Sequence, residues 1–185
     1  MNDARLRTVS EYLDLGEIEW GYTELHEGKV LLSPNGSAAH QIASAELGFQ
    51  LRSQLPADFH VIPRIDIDLE LVPSSAPGFS RRPDLVVVPK AAVTRTSRVG
   101  GVIRAAEVML VVEVVAPDSR RTDYNVKRDE YADAGIPFYW IVDVTVPEQV
   151  SLTALRLTES RYQEAPAVAG ALEPFSLKIR VDQLV

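Results

Sequence analysis

The sequence contains no cysteine, so disulfides and thiolate metal sites are both excluded. Apolar residues make up 46% of the 185 residues, yet no apolar run approaches the ~20 residues that a membrane-spanning helix needs. The first residues also lack a basic segment followed by an apolar one, which is the pattern of a secretory signal. We therefore expect a single cytoplasmic domain over residues 1–185, with no membrane partner.

Several common catalytic patterns are missing as well. The three histidines do not stand at metal-ligand spacing, so a zinc site is not expected. Ser33 and Ser119 have no neighbouring histidine in the sequence, and there is neither a phosphate loop nor a Rossmann glycine fingerprint. His40 is interpreted as a buried or rim histidine rather than a ligand.

Charge is unevenly distributed along the chain. The net charge of −7 argues against a general nucleic-acid coat protein, because polyanion binding depends on lysine and arginine. Residues 81–128, however, carry ten basic and five acidic side chains, so this segment is net +5 and the rest of the chain is net −12. Such a segment could steer a phosphate substrate, the alternative being a chance fluctuation among surface charges.

The first half of the chain predicts a helix, a hairpin turning at Glu27-Gly28, a second helix and a strand buried on one face. These elements cover residues 6–15, 23–32, 38–54 and 61–71. The strand is predicted from strict alternation of apolar and polar residues. Two stretches rich in proline, glycine or serine, 73–80 and 94–101, are predicted to be loops.

The centre of the chain predicts strands that are covered on both faces, because residues 85–88, 108–115 and 138–144 are continuous apolar runs. A helix over 122–134, begun by Thr122 or Asp123 and ended by Gly135, separates the last two runs. This order predicts a βαβ unit with parallel strands. Further edge strands are predicted at 150–157, 161–165 and 177–181. The expected fold is α/β or α+β, with a mixed central sheet flanked by helices.

Three acidic residues interrupt or bound the central strands. Glu113 lies inside an apolar run, where a carboxylate is costly unless it is paired, hydrogen-bonded or bound to a cation. The alternative is that this strand end is wet. Asp84 follows Pro83 and opens the next candidate strand, although Pro-Asp is also an ordinary way to begin a strand. Asp143 ends its strand and is interpreted as a turn cap.

Lys127 shares a helix face with Tyr124 and Tyr131, at spacings of three and four residues. That face is apolar and should pack on the sheet, where Glu113 would supply a counter-charge. The alternative is that the lysine stem follows the helix edge and its ammonium reaches water.

Together these residues match the needs of phosphodiester hydrolysis, which requires a metal ion and a cationic group near the developing charge. Two carboxylates on adjacent strands supply the hard oxygen ligands that suit Mg²⁺, or Mn²⁺ in its place. The sequence therefore predicts a metal site at Asp84 and Glu113, with Lys127 orienting water or neutralising charge.

The same residues lie in longer motifs: Arg82-Pro83-Asp84-Leu85-Val86-Val87-Val88, Val112-Glu113-Val114-Val115-Ala116-Pro117-Asp118-Ser119-Arg120-Arg121, Lys127, and Tyr131-Ala132-Asp133-Ala134-Gly135-Ile136-Pro137-Phe138-Tyr139-Trp140-Ile141-Val142-Asp143. Upstream stand Glu24-Leu25-His26-Glu27-Gly28, Leu32-Ser33-Pro34 and His40. Over residues 8–160 these motifs resemble the Uma-two family of bacterial restriction-endonuclease-like proteins, within the PD-(D/E)XK superfamily.

The resemblance implies a restriction-endonuclease-like core, a divalent metal and DNA cleavage. In it, Asp84 matches the first acidic position and Glu113 the second. Many superfamily members have lysine two residues after that acid, where this chain has Val115; Lys127 matches the lysine that this family takes from the following helix. Glu24 matches a possible third acid in the first hairpin.

The leading hypothesis is thus a Mg²⁺-dependent endonuclease that acts on DNA as a homodimer or higher homo-oligomer, since a duplex has two strands. Four basic residues are expected to bind backbone phosphates: Arg81, Arg82, Arg120 and Arg121. One alternative is a catalytically inactive oligomeric binding or regulatory module that keeps the nuclease fold. Another is hydrolysis of RNA or of a smaller phosphodiester.

Overall fold

The computed structural model describes residues 5–19, 21–33, 36–117 and 119–185. Pro34 and Asp118, which belong to the motifs above, lie outside the described residues. The described chain forms two mixed sheets and four α-helices, so the predicted mixture of helices and sheet is confirmed. In these ranges, no helix combines the length and the apolar composition required to cross a bilayer.

The helices are α1 (Val9–Leu13), α2 (Ala38–Gln54), α3 (Lys90–Val99) and α4 (Lys127–Asp133). α1 begins at a capping box, in which Thr8 and Glu11 each accept a backbone N–H of the other. Ser37 caps α2 by accepting from the backbone N–H of His40 at 3.3 Å. α2 has the bounds that the sequence predicts.

The strands, in chain order, are β1 (Tyr22–His26), β2 (Lys29–Ser33), β3 (Phe59–Pro63), β4 (Ile67–Asp68), β5 (Ser80–Arg81), β6 (Leu85–Pro89), β7 (Ile103–Arg104), β8 (Leu110–Val115), β9 (Phe138–Asp143), β10 (Ser151–Thr158) and β11 (Arg161–Glu164). The smaller sheet has the order β2-β1-β5-β4-β7, and the larger sheet has the order β11-β10-β9-β8-β6-β3. The predicted hairpin is confirmed as β1 and β2, which pair antiparallel.

The larger sheet is buried on both faces, as the continuous apolar runs predict. β8 is buried at every position and pairs parallel with β9, which confirms the predicted βαβ unit. One face packs against α2 through residues such as Leu47 and Trp140, and the other packs against α4 through residues such as Tyr131 and Tyr139. Side chains on alternate faces of β6 and β8 therefore enter two separate apolar layers.

The predicted strand over 61–71 is wrong as a single element, because the chain leaves the larger sheet after β3 and enters the smaller one at β4. Arg64 and Glu70 have φ angles of 47° and 52°, which turn the chain out of the extended conformation. The alternation matches burial at Ile67 and Leu69, which are buried, but not in β3, where Val61 and Ile62 are both half-buried and Pro63 is exposed. Apolar periodicity alone does not reveal a change of sheet.

Two further predictions are corrected. Residues 94–101 lie mostly in α3 rather than in a loop. Residues 177–181 form no strand in the described chain, and only an isolated bridge joins Leu172 to Leu177. Gln54 and Gln50 of α2 instead hydrogen-bond the backbone of Lys178 and Arg180, so helix side chains satisfy this segment in place of a sheet partner.

The packing of α2 on the larger sheet can be tested at Leu47, which is fully buried. Leu47→Ala is expected to lower the free energy of unfolding by about 2–5 kcal/mol, because it removes buried methyl groups and leaves a cavity. Ile42→Ala on the exposed face of α2 is the control, expected to change stability by less than about 0.5 kcal/mol. Urea denaturation measures both, and equal losses would contradict this packing.

Candidate functional site

A polar cavity of about 210 Å³ opens where the smaller sheet, α2 and the start of α4 meet the larger sheet. It is unusual in this fold because its walls carry several buried charged side chains rather than apolar ones. The ionisable residues that line it are Tyr22, Glu24, His40, Asp84, Glu113, Asp123 and Lys127.

Asp84 and Glu113 reach this cavity from adjacent strands. β6 and β8 pair antiparallel with Leu85 opposite Val112, so Asp84 and Glu113 occupy the next pair of facing positions. Both lie on the face that α4 covers. Asp84 Oδ2 accepts a hydrogen bond from the backbone N–H of Val114 at 2.8 Å, which fixes its carboxylate against β8.

Lys127 enters the same cavity from α4 and is only 4% exposed. Its Nζ donates to Glu113 Oε1 at 3.0 Å and lies 3.2 Å from Asp123 Oδ1 and 3.6 Å from Glu24 Oε1. Tyr131 on the next turn also donates to Glu113 Oε1, at 2.7 Å. The structure therefore brings together the three residues that the sequence singles out, and it adds Asp123.

Asp123 enters the cavity from a locally widened helical turn that precedes α4. Residues Thr122–Val126 form a π-helical turn, in which the backbone N–H of Lys127 donates to Thr122 O. Such turns are rare and often occur at functional sites. In this geometry Asp123, not Tyr124, stands beside Lys127. An acid four residues before a lysine is the one sequence signal for this contact, whereas the sequence pattern predicts Asp123 only as a helix cap.

The protonation of the acids that line the cavity depends on their burial and on the nearby ammonium of Lys127. Burial raises the pKa of Glu113 to about 8, with further upward pressure from the carboxylates of Asp123 and Asp84, although Lys127 opposes this. Burial also raises the pKa of Asp123 against the pull of Lys127. Burial alone would lower the pKa of Lys127, but Glu113, Glu24 and Asp123 hold it well above its ordinary value.

Glu24 differs from Glu113 and Asp123, because its surroundings favour the charged form. Burial disfavours its charge, but Lys127, Arg81 and the backbone N–H of Arg82 together lower its pKa below the ordinary value. Its Oε2 accepts from Arg81 at 3.0 Å, and its Oε1 accepts from the Arg82 N–H at 3.0 Å. The sequence-predicted third acid thus lines the cavity from β1.

The placement of Arg81 differs from the expected phosphate contact. Its side chain is 1% exposed, and its guanidinium donates to both oxygens of Glu130, at 2.6 and 2.8 Å, as well as to Glu24. His26 Nδ1 lies 2.6 Å from the same Glu130. Arg81 therefore joins the smaller sheet to α4 inside the protein, because burial requires its charge to be paired.

Arg82 is also paired with acids of the protein itself, with Asp66 at 2.6 Å and with Glu17 at 2.8 Å. Within the described chain, five of the ten basic residues of segment 81–128 are in ion pairs with acidic side chains: Arg81, Arg82, Arg95, Arg120 and Lys127. Much of the predicted basic excess is thus neutralised within the fold.

Arg120 and Arg121 lie beside the cavity, between its lining residues Ser119 and Thr122. Arg120 pairs with Asp143 and stacks over Tyr124, and its side chain is still 59% exposed to solvent. Arg121 is exposed and has no ionic partner among the described side chains.

Asp143 also behaves as the predicted turn cap. Its Oδ1 accepts from the backbone N–H of Thr145 at 3.0 Å and from the hydroxyl of Thr145 at 2.6 Å. Asp143 does not line the cavity, which agrees with its interpretation as a structural residue.

His40 is buried, as expected, and it contacts an acid of the site. Its Nε2 lies 3.1 Å from Asp84 Oδ2, while its Nδ1 has no hydrogen-bond partner in the described structure. A Cβ at Gly36 would approach the His40 ring to 2.5 Å, so the chain packs closely over this histidine. His40 thus helps the Val114 N–H to orient Asp84.

The carboxylates of Asp84 and Glu113 suit a hard divalent cation. In the described chain, no group of three or more histidine or acidic side chains is arranged to hold an ion. Mg²⁺, however, is usually held by one or two carboxylates, water and substrate phosphates. Lys127 and Tyr131 both donate to Oε1 of Glu113, so its Oε2 is left for a ligand. Val114 and His40 both contact Oδ2 of Asp84, and its Oδ1 has a longer contact of 3.9 Å with Arg64 Nε, which a ligand would have to share.

The fold belongs to a nuclease-like class. A crystal structure from Anabaena variabilis, described as "a putative nuclease belonging to DUF820", matches with a TM-score of 0.69 at 20% sequence identity. The match covers 96% of this chain and 97% of that one. A comparison with curated proteins gives no match. The Uma2 family model, described as "putative restriction endonuclease", matches residues 9–178, and the chain belongs to this family.

The buried acid of β8 predicts a pH dependence of stability. A pKa raised from 4.5 to about 8 stabilises the metal-free protein below pH 4.5, and this contribution is lost as the pH rises through about 8. The unfolding free energy of the wild type should therefore fall relative to that of Glu113→Gln over this range. Urea denaturation in chelator measures the difference, and a constant difference would refute the shift.

The Arg81 network predicts a large loss of stability on substitution. Arg81→Met leaves Glu24 and Glu130 buried without their shared cation, so unfolding should become easier by about 3–5 kcal/mol. Arg156→Met is the matched control, since its pair with Glu173 is half-exposed and contributes less than about 1 kcal/mol. Similar losses for the two variants, measured by urea denaturation, would argue against the network.

Proposed function

We propose that this protein is a Mg²⁺-dependent endonuclease that hydrolyses phosphodiester bonds in DNA. In this proposal Asp84 and Glu113 hold the ion, and Lys127 assists the reaction. The observation that carries it is the meeting of two carboxylates from adjacent strands with a buried ammonium in one cavity. Membership of a family described as "putative restriction endonuclease" supports the same reading.

The bound ion would polarise the phosphoryl group and lower the pKa of a coordinated water. The surrounding residues have separate tasks. Lys127, whose Nζ lies 3.0 Å from Glu113 in this structure, supplies a buried positive charge beside the proposed ion site, where negative charge would develop on the phosphoryl oxygens. Because this ammonium is buried in a region of low dielectric, it acts without reorganisation of solvent.

Other contacts orient the ligands. Tyr131 and Lys127 fix one oxygen of Glu113, and the Val114 N–H and His40 fix one oxygen of Asp84. Both acids are therefore held in one geometry before substrate arrives, which lowers the entropic cost of assembling the reactive arrangement.

Substrate phosphates are assigned to the exposed cations beside the cavity. Arg121 is exposed, and Arg120 keeps more than half of its side-chain surface in solvent, so both can approach a DNA backbone. Arg81 and Arg82, which the sequence predicted for this role, are not part of the proposal, because their guanidinium groups pair with acidic residues of the protein. Two active sites for the two strands would require the homodimer, which stays a prediction.

Glu113→Gln tests this function. The substitution removes a charged ligand while keeping the shape of the side chain, so Mg²⁺-dependent nicking of supercoiled plasmid should fall by roughly 100-fold or more. Asp129→Asn, an exposed change on α4, is the matched control and should cleave at the wild-type rate. Unchanged cleavage by Glu113→Gln would count decisively against the assignment.

Substrate and metal comparisons separate the alternatives. Cleavage of RNA or of a small phosphodiester, with DNA left intact, would replace the proposed substrate. Calorimetric titration with Mn²⁺ addresses the inactive module, because a binding or regulatory protein without this site should take up no ion at millimolar concentration. Binding that disappears in Glu113→Gln supports the metal site.

A further inference from the structure

The cavity contains more carboxylates than its positively charged side chains can neutralise. Among the described residues that line it are four acids, Glu24, Asp84, Glu113 and Asp123, and a single lysine or arginine, Lys127. Glu24 also receives Arg81, and Asp84 receives His40 and a backbone N–H. Glu113 and Asp123 are left to share the ammonium of Lys127, at 3.0 and 3.2 Å.

Asp123 is held firmly in this shared position. Its Oδ2 accepts from the hydroxyl of Ser119 at 2.5 Å, and its backbone carbonyl accepts from Tyr139 at 2.9 Å. The residue is 1% exposed, and its Oδ1 lies 3.2 Å from the Lys127 ammonium, with no other partner for this oxygen among the described atoms. The π-helical turn therefore delivers a buried oxygen to the ammonium without satisfying it elsewhere.

We propose that Asp123 is a positioning residue that determines how strongly Lys127 competes with a divalent ion for Glu113. This inference rests on the proposed metal site at Asp84 and Glu113. Without the ion, the ammonium bridges Glu113 and Asp123. When the ion binds Glu113, the ammonium keeps Asp123 as its partner, so it stays beside the site and does not block the ligand.

The physical reason is a competition between two cations for one carboxylate. Bringing a divalent ion to Glu113 repels the ammonium, which must then rely on another anion because Lys127 is buried and has little contact with bulk water. Asp123 is that anion. If Asp123 were neutral, Lys127 would depend on Glu113 more strongly, and an ion at the second oxygen of Glu113 would have to weaken that pair.

A double-mutant cycle on Mn²⁺ affinity tests this role, with the dissociation constant measured by calorimetry. Asp123→Asn should weaken Mn²⁺ binding by roughly fivefold or more, the lower end of ordinary coupling between sites. Lys127→Met should tighten binding, because it removes the competing cation. In the Lys127→Met background, Asp123→Asn should change affinity by less than about twofold, since its effect acts through the ammonium.

The outcomes are distinct. An equal loss from Asp123→Asn in both backgrounds would mean that Asp123 acts directly on the ion, which overturns the inference and leaves the proposed metal site intact. No Mn²⁺ binding by the wild type or by Lys127→Met would overturn the metal site and the inference with it. Asp129→Asn serves again as the control and should bind Mn²⁺ as the wild type does.

A second measurement covers the case in which Lys127→Met does not fold. In a crystal of the wild-type protein soaked with Mn²⁺, the ammonium of Lys127 should remain within hydrogen-bond distance of Asp123 and move away from Glu113. An ammonium that leaves Asp123 while the ion occupies Glu113 would contradict the inference. Circular dichroism of each variant establishes which affinities come from folded protein.

Discussion

The ammonium of Lys127 lies among carboxylates that three different elements bury, and the polar cavity depends on this one charge. Glu24 comes from β1, Glu113 from β8 and Asp123 from the turn before α4, so the lysine joins both sheets to the helix that covers them. Unpaired, each of these acids would cost several kcal/mol to bury in the charged form. The fold tolerates so acidic an interior because of this cation and the adjacent Arg81.

Arg81 has the complementary task at the back of the cavity. It fixes Glu24 from behind and ties β5 to Glu130 of α4. The two buried cations therefore have different roles. Arg81 is fully paired and stabilises the elements around the cavity, while Lys127 lines the cavity itself. This division explains why a segment that is net +5 in sequence does not form an equally basic surface.

How much of this could be predicted depended on whether the signal was local. Glu113 was identifiable because an acid inside an apolar strand needs a partner, and Lys127 because it stands on the apolar face of a helix. Asp123 was missed as a site residue because it was interpreted only as a helix cap, although its spacing of four residues from Lys127 is a local signal of contact. The pairing of Arg81 with Glu130 was not predictable, since it joins residues 49 positions apart that only the tertiary fold brings together.

The widened turn at Thr122–Val126 also constrains the residues that precede it. Each residue of a regular helix advances about 100° around the axis, so restoring ordinary helix geometry here would rotate Arg120 and Arg121 together with Asp123 relative to Lys127. The direction in which these exposed arginines point therefore depends on the same turn that positions Asp123 inside the cavity. A family member with a longer or shorter turn would therefore present its exposed arginines in a different direction. The same change would also alter the arrangement of its buried charges.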